Sequence, residues 1–189
     1  MHYSELNKAV GNIDIYLLDQ ILKGRFEGKK RVLDAGCGEG RNMPYFLNNG
    51  YDVYGIDSNP LAIKMLHMMH KTIPKDHFLD GKLEMLPWKD YFFDAIICSA
   101  VLHFAQDRDA FYEMIEELKR VLNQQGILFI RMASTIGLEK TNDDSFSYLL
   151  TLEDINRLVN SSGFEKVEPI KTVLVEGQRS MATLVLSKS

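Results

Sequence analysis

The sequence predicts an α/β fold: a doubly wound sheet of seven strands, mostly parallel, finished by a C-terminal antiparallel hairpin strand. Three observations carry that prediction. From about residue 30 onward, short apolar runs alternate with amphipathic helical segments, the pattern of successive βα units. The first run, Val32-Leu33-Asp34-Ala35, ends in a turn with glycines at every second position, Gly36, Gly38 and Gly40, ahead of a helix-compatible stretch. The last two runs, 167–175 and 180–186, flank Glu176-Gly177-Gln178-Arg179, which reads as a hairpin turn.

Composition bounds the problem. A chain of 189 residues with 46% hydrophobic and 25% charged residues fits one globular domain, 1–189. The net charge of −4 is spread without blocks, so nothing marks a surface for nucleic acid or anionic membrane. The longest apolar run, 95–105, is interrupted by Ser99 and His103, and no segment is expected to span a bilayer. The first five residues lack a cationic-then-apolar leader. Cys37 and Cys98 close separate strands with no metal or redox spacing, and a reduced, cytoplasmic setting is the expectation.

The elements follow in chain order. Residues 4–24 read as one amphipathic helix, with Leu6, Val10, Ile13 and Leu17 at helical spacing and Leu18, Ile21 and Leu22 extending the stripe. Gly24 and Gly28 end it. After the glycine turn, Val53-Tyr54-Gly55-Ile56-Asp57 is a second strand, and Asn59-Pro60 opens a helix as cap and first position. Its methionines Met65, Met68 and Met69 read as core filler. His67 and His70 lie three apart, but no third ligand suggests a metal, so none is expected. Phe78-Leu79-Asp80-Gly81 is a short third strand, and Ala95-Ile96-Ile97-Cys98 is a wholly apolar fourth, buried on both faces. Asp107 caps a helix whose stripe runs through Phe111, Met114, Ile115, Leu118, Val121 and Leu122. A fifth strand starts at Gly126. The 133–150 connection shows neither period and is long enough to suggest a lid loop carrying Phe146 and Tyr148. Thr151 to Asp154 resembles a capping box that starts the last helix.

The turn itself narrows the ligand. Glycines allow positive φ and close approach of a ligand to the backbone, and a following helix start offers free N–H groups. The dinucleotide fingerprint fails, because Arg41 or Met43 stands where its third glycine belongs. Asp34, just before the turn, would repel a pyrophosphate and suits an ammonium group. Asp57 follows Gly36 by roughly 20 residues, the spacing at which an acid accepts hydrogen bonds from ribose hydroxyls. An ammonium and a nucleoside in one ligand describe S-adenosylmethionine.

Asp34-Ala-Gly-Cys-Gly-Glu-Gly40, Gly55-Ile-Asp57, Leu86-Pro-Trp-Lys-Asp-Tyr-Phe-Phe-Asp94, Ser99-Ala-Val-Leu-His103 and Leu118-Lys-Arg-Val-Leu122 occur in this order. Together they resemble the class I S-adenosylmethionine-dependent methyltransferases, over a span from about Lys30 to the C-terminus. The turn Gly38-Glu-Gly-Arg-Asn42 also resembles the tellurite-resistance type. The resemblance implies a Rossmann-like domain that uses S-adenosylmethionine to methylate a small molecule by direct transfer, without metal or covalent nucleophile. It implies cofactor contacts at Asp34, Gly36, Cys37, Gly38, Asp57, Ser58, Leu83, Glu84 and Ser99. Lys82 departs from the family's usual Asp beside the adenine, which shifts that contact toward the backbone of Leu83 or Glu84. His103 is the candidate general base near the methyl, since it alone there has a suitable unperturbed pKa. Helix 4–24 is then expected to cap the site, with Tyr3 and Tyr16 as substrate contacts, and Arg41 and Arg131 to supply positive charge for a carboxylate or oxyanion. A non-catalytic cofactor- or partner-binding protein of the same fold is the competing class. A nucleotide-binding oxidoreductase is a third, disfavoured by the failed fingerprint and by Asp34.

Overall fold

The computed structural model describes residues 2–139 and 145–189. Five strands alternate with helices along the first two thirds of the chain: β1 (Arg31–Ala35), β2 (Asp52–Asp57), β3 (Phe78–Asp80), β4 (Phe93–Ser99) and β5 (Leu122–Ser134). Helices α1 (Tyr3–Val10) and α2 (Ile15–Leu22) precede them, and α3 (Pro44–Asn48), α4 (Pro60–Met69) and α5 (Arg108–Val121) lie between. Helix α6 (Leu152–Asn160) leads into β6 (Phe164–Lys166), β7 (Lys171–Val175) and β8 (Arg179–Lys188).

The strands form one sheet in the order β3-β2-β1-β4-β5-β8-β6, with β7 also paired to β8. Pairing is parallel from β3 through β5, and β8 enters antiparallel against β5 from Ile127↔Ser187 to Ser134↔Ser180. The winding reverses between β1 and β4. A crevice opens there at the carboxyl ends of the strands, where open α/β sheets bind ligands.

Both faces of the sheet are buried, which is why its central strands read as continuous apolar runs. Successive side chains point to opposite faces. Val32, Ala95, Ile97 and Phe129 pack with Leu17, Phe26, Phe46 and Leu66 on one side. Leu33, Ile96 and Leu128 pack with Phe111, Ile115, Leu118 and Leu158 on the other. The expected caps are present: Asn59 accepts the Leu61 N–H, Asp107 that of Ala110, and Thr151 and Asp154 form a reciprocal capping box.

The structure corrects the sequence in four places. The single helix expected over 4–24 is two, because Gly11 turns the chain at φ 66° and Asp14 caps a new start by accepting the Tyr16 N–H. No residue of α1 is buried, while Ile13, Leu17 and Ile21 enter the core. The strand expected over 167–175 is present only in its second half, β7, and an unexpected short strand, β6, precedes it on the same partner. Pro169, with no N–H to donate, lies in the gap, where β8 advances three residues from Leu186 to Thr183 while the other chain advances five from Lys166 to Lys171. On α4 the buried residues are Ala62, Ile63 and Leu66, so Met65, Met68 and Met69 are exposed and not core filler. The 133–150 connection is shorter than expected, since β5 runs on to Ser134 and Leu150 bridges back to that residue. Residues 140–144 of the expected lid lie outside the described residues.

Candidate active site

The glycine turn is built for contact. Gly36 (φ 74°) and Gly38 (φ 51°) both take left-handed backbone. A Cβ on Gly36 would meet Val101 Cγ2 at 2.2 Å, so the chain crosses its neighbour where only hydrogen fits. At Gly38 the same position is open space. The first N–H groups of the turn are already paired within the fold. Those of Gly36 and Cys37 both donate to Ile56 O, at 2.8 and 3.0 Å, and that of Gly38 donates to Asp57 Oδ2 at 2.7 Å. The turn therefore offers a ligand bare Cα surface, and its own donors lock β2 and Asp57 in place.

Asp57 ends β2 with both oxygens engaged from below, Oδ2 by Gly38 and Oδ1 by the Asn59 N–H at 2.9 Å. Each carboxylate oxygen has a second lone pair, so the group can still receive two hydroxyls. Asp34 is different. It is buried, its Oδ2 has no hydrogen-bond partner, and burial pushes its pKa up to about 7, with Arg41 opposing and Asp57 adding to the rise. An orphaned carboxylate of this kind is a seat for a cation.

Beside the turn lies a crevice of about 420 Å³. Gly36, Ile56, Asp57 and Ser58 form one wall, and Gly81, Lys82, Leu83 and Glu84 another. Ala100, Val101, Phe104, Gln106 and Met114 close it. Gly36, Asp57, Ser58, Leu83 and Glu84 thus meet at one cavity. Asp34 and Gly38 are not among its lining residues, and neither is Cys37. Its Sγ turns toward Gly55 in the core, where burial raises the thiol's pKa. Ser99 sits just behind the wall and donates its hydroxyl to Asp14 Oδ2 at 2.9 Å.

His103 lies in a 3-10 turn, Leu102–Phe104, and is 2% exposed. Its Nδ1 accepts the Ala133 N–H at 3.1 Å, which leaves the ring proton on Nε2. Burial, with the positive charge of Arg131 and Arg179, pushes its pKa down to about 4. The general-base role expected for it does not fit this geometry: the lone pair that would take a proton is already used, and the ring is a hydrogen-bond donor. Phe146 packs on that ring at 4.2 Å between centroids. Tyr148 turns away into the core, stacking on Phe111 and donating its hydroxyl to Asp154 Oδ2 at 2.8 Å. Tyr3 is exposed, whereas Tyr16 lies under the Arg131 guanidinium at 5.1 Å.

A methyltransferase-domain family model matches residues 33–130, just over half of the chain. The chain belongs to the class I S-adenosylmethionine-dependent methyltransferase family. Among curated relatives, a malonyl-[acyl-carrier protein] O-methyltransferase of Enterobacter lignolyticus is 28% identical over 127 residues, covering 67% of this chain and 47% of that protein. A tRNA U34 carboxymethyltransferase of Stutzerimonas stutzeri is 30% identical over 165 residues, covering 80% and 51%. The chain spans about half the length of such relatives. The fold is shared with the Burkholderia thailandensis 1,6-didemethyltoxoflavin-N1-methyltransferase, solved with S-adenosylhomocysteine bound (TM-score 0.73, 20% identity, 95% of this chain and 80% of that one). S-adenosylmethionine is the methyl donor of the family to which the chain belongs.

Sequence reasoning missed Asp14, Phe104, Gln106 and Met114. Met114 looked like pure core stripe on α5. For Asp14 a signal was present: an acid following Gly11 and Asn12 is a helix-start signature inside what looked like one continuous stripe.

Proposed function

We propose that the chain methylates a small molecule by direct transfer from S-adenosylmethionine. One observation supports the fit to this cofactor: a buried carboxylate with an unpaired oxygen, Asp34, lies two residues ahead of Gly36, which lines a crevice that also presents a second carboxylate, Asp57. Asp34 would receive the ammonium and Asp57 the ribose hydroxyls. The backbone of Leu83 and Glu84 would meet the adenine edge, with Ile56 and Val101 against its faces. When bound, S-adenosylmethionine supplies a methyl group already activated on a sulfonium.

The chain's own task is then alignment, with the acceptor atom held about 3–3.5 Å from the methyl carbon. Val101, Phe104 and Met114 keep water from that side of the crevice. His103, neutral and holding the Ala133 N–H on Nδ1, is not placed to take a proton, which suits an acceptor that arrives deprotonated. The crevice volume falls in the range of small-ligand sites. The sequence pI of about 5.7 argues for a small acceptor over nucleic acid, even though one relative is named for tRNA.

The test is calorimetric titration with S-adenosylhomocysteine, followed by incubation of a metabolite extract with deuteromethyl-labelled S-adenosylmethionine and mass spectrometry. Asp57→Asn, which keeps the size of the side chain but turns an amide NH2 toward one of the two backbone donors, should cost about 1–3 kcal/mol through poorly paired hydroxyls, with the melting curve recorded beside the titration. That is roughly a ten- to hundredfold loss of affinity. Unchanged affinity removes the ribose assignment; tight binding without any labelled product favours a non-catalytic protein.

A further inference from the structure

At the end of β5, Arg131 has too few partners. Among the described residues it meets one oxygen of Asp14, 3.4 Å from Nη1, and the ring of Tyr16, while Nε is buried without a hydrogen bond. A guanidinium carries five N–H donors, so most of this one's capacity is unused. Arg41 approaches the same Asp14 oxygen from the glycine turn at 3.8 Å and reaches Ser99 Oγ at 3.3 Å. The Ser99 hydroxyl donates to that oxygen as well. One carboxylate oxygen therefore faces two guanidiniums and a hydroxyl. Its own side chain is 2% exposed, yet those of Arg41 and Arg131 are 45% and 24% exposed.

The position is as telling as the charge. Ser99 and Arg131 are register partners at the carboxyl ends of β4 and β5, and Ala100, which follows Ser99, lines the crevice. Asp34 is close enough to Arg41 to feel its charge. The cluster thus lies next to the cofactor crevice, at the carboxyl ends of β4 and β5.

We propose that Arg41 and Arg131, the latter above the ring of Tyr16, seat an anionic group of the methyl acceptor, a carboxylate or similar oxyanion. This rests on the methyl-transfer reading given above. Asp14 acts as an internal placeholder: it keeps the two guanidiniums in position and partly neutralised, and yields them to a substrate carboxylate able to bind a guanidinium in the stronger two-point geometry. The chain around Asp14 suits that exchange, because its backbone N–H is held separately by Asn42 Oδ1 at 3.1 Å. The cofactor's own carboxylate has the same chemistry, so the experiment must separate the two sources.

The full chain is loaded with S-adenosylhomocysteine, and its arginine Nε–H resonances are followed by ¹⁵N NMR. Acetate and inorganic phosphate are titrated at constant ionic strength, with acetamide as the neutral control. The Arg131 resonance should shift saturably with either anion and not with acetamide. Arg131→Gln should lose the effect. Asp14→Asn should bind acetate several-fold more tightly, because the competing charge is gone while asparagine still caps α2. Shifts that stay linear and match those of chloride overturn the proposal, as does weaker acetate binding in a folded Asp14→Asn variant. Saturation only when S-adenosylhomocysteine is absent assigns the seat to the cofactor's carboxylate and overturns it equally. A protein that never takes up S-adenosylhomocysteine fails the methyl-transfer reading first, and the proposal with it.

Discussion

At the scale of single residues, Asp34 makes the cofactor measurable through a proton. Burial lifts its pKa from 3.8 to about 7. A carboxyl raised in the folded state is most comfortable protonated, so its contribution to stability is full below 3.8 and is lost as pH rises through about 7. A ligand ammonium reverses the balance by favouring the carboxylate. At pH 7 uptake of S-adenosylhomocysteine should therefore release about half a proton, approaching one near pH 6 and none by pH 8. Calorimetry in phosphate and in Tris reads this directly, since the apparent enthalpies should diverge with the buffers' ionisation heats, and Asp34→Asn should bring them together. Identical enthalpies at pH 6.5 would separate Asp34 from the ligand. This residue and Asp57 were legible in the sequence because both are fixed by local chain geometry, one strand end and one turn each. The Asp14, Arg41 and Arg131 cluster was not. Its arginines stood out as charges, but their meeting with Asp14 needs α2, the turn and β5 to converge, and no spacing in the chain encodes that.

At the scale of elements, the connection before α6 is tied down by one buried carboxylate. Asp154 accepts from Tyr112 Oη at 2.9 Å, Tyr148 Oη at 2.8 Å, Arg108 Nε at 3.1 Å and both the N–H and the hydroxyl of Thr151, at 3.0 and 2.6 Å. Burial raises its pKa, but the bonds from Thr151, Tyr148 and Tyr112 outweigh that and hold it below the usual value. A depressed carboxyl contributes stability that is present above 3.8 and is lost as pH falls through its folded value. Asp154→Ala leaves buried tyrosine hydroxyls unpaired and removes a cap, and should cost about 2–4 kcal/mol in urea unfolding at pH 7. The deficit should narrow below pH 4, where the parent loses the same interaction; a constant deficit would mean that packing, not charge, holds the connection. The capping box was visible as Thr151 and Asp154, while Tyr148 was misjudged as a lid residue because periodicity is silent in loops. Elsewhere the elements were read correctly where apolar runs are long, as in β4 and α5. They were misread where one residue breaks a continuing pattern, as Gly11 does in the helix and Pro169 does beside β8.

At the scale of the whole molecule, the cofactor crevice adds a link between the halves of the sheet, since among the described residues β2 and β3 are hydrogen-bonded to β4 only by way of β1. A ligand bridging that space binds the folded chain and not the unfolded one, and stabilises it by mass action. At a hundredfold excess over Kd the gain is about 2.7 kcal/mol. For a chain of this size that raises Tm by roughly 5–10 °C. S-adenosylhomocysteine should produce that shift and NAD none, which separates the methyltransferase from an oxidoreductase in one experiment. The variant that makes the comparison decisive is Gly38→Ala. Gly36→Val would not serve, because its side chain collides with Val101 before any ligand arrives. At Gly38 a methyl group enters open space at φ 51°, so the fold bears only the left-handed strain, about 1–2 kcal/mol. Its melting point should fall modestly, and on the proposal that the ligand rests on the open backbone at Gly38 the shift with S-adenosylhomocysteine should shrink to a small fraction of the parent's. A Gly38→Ala protein that melts lower yet keeps the full ligand-induced shift would mean that the glycine serves the turn and not the cofactor.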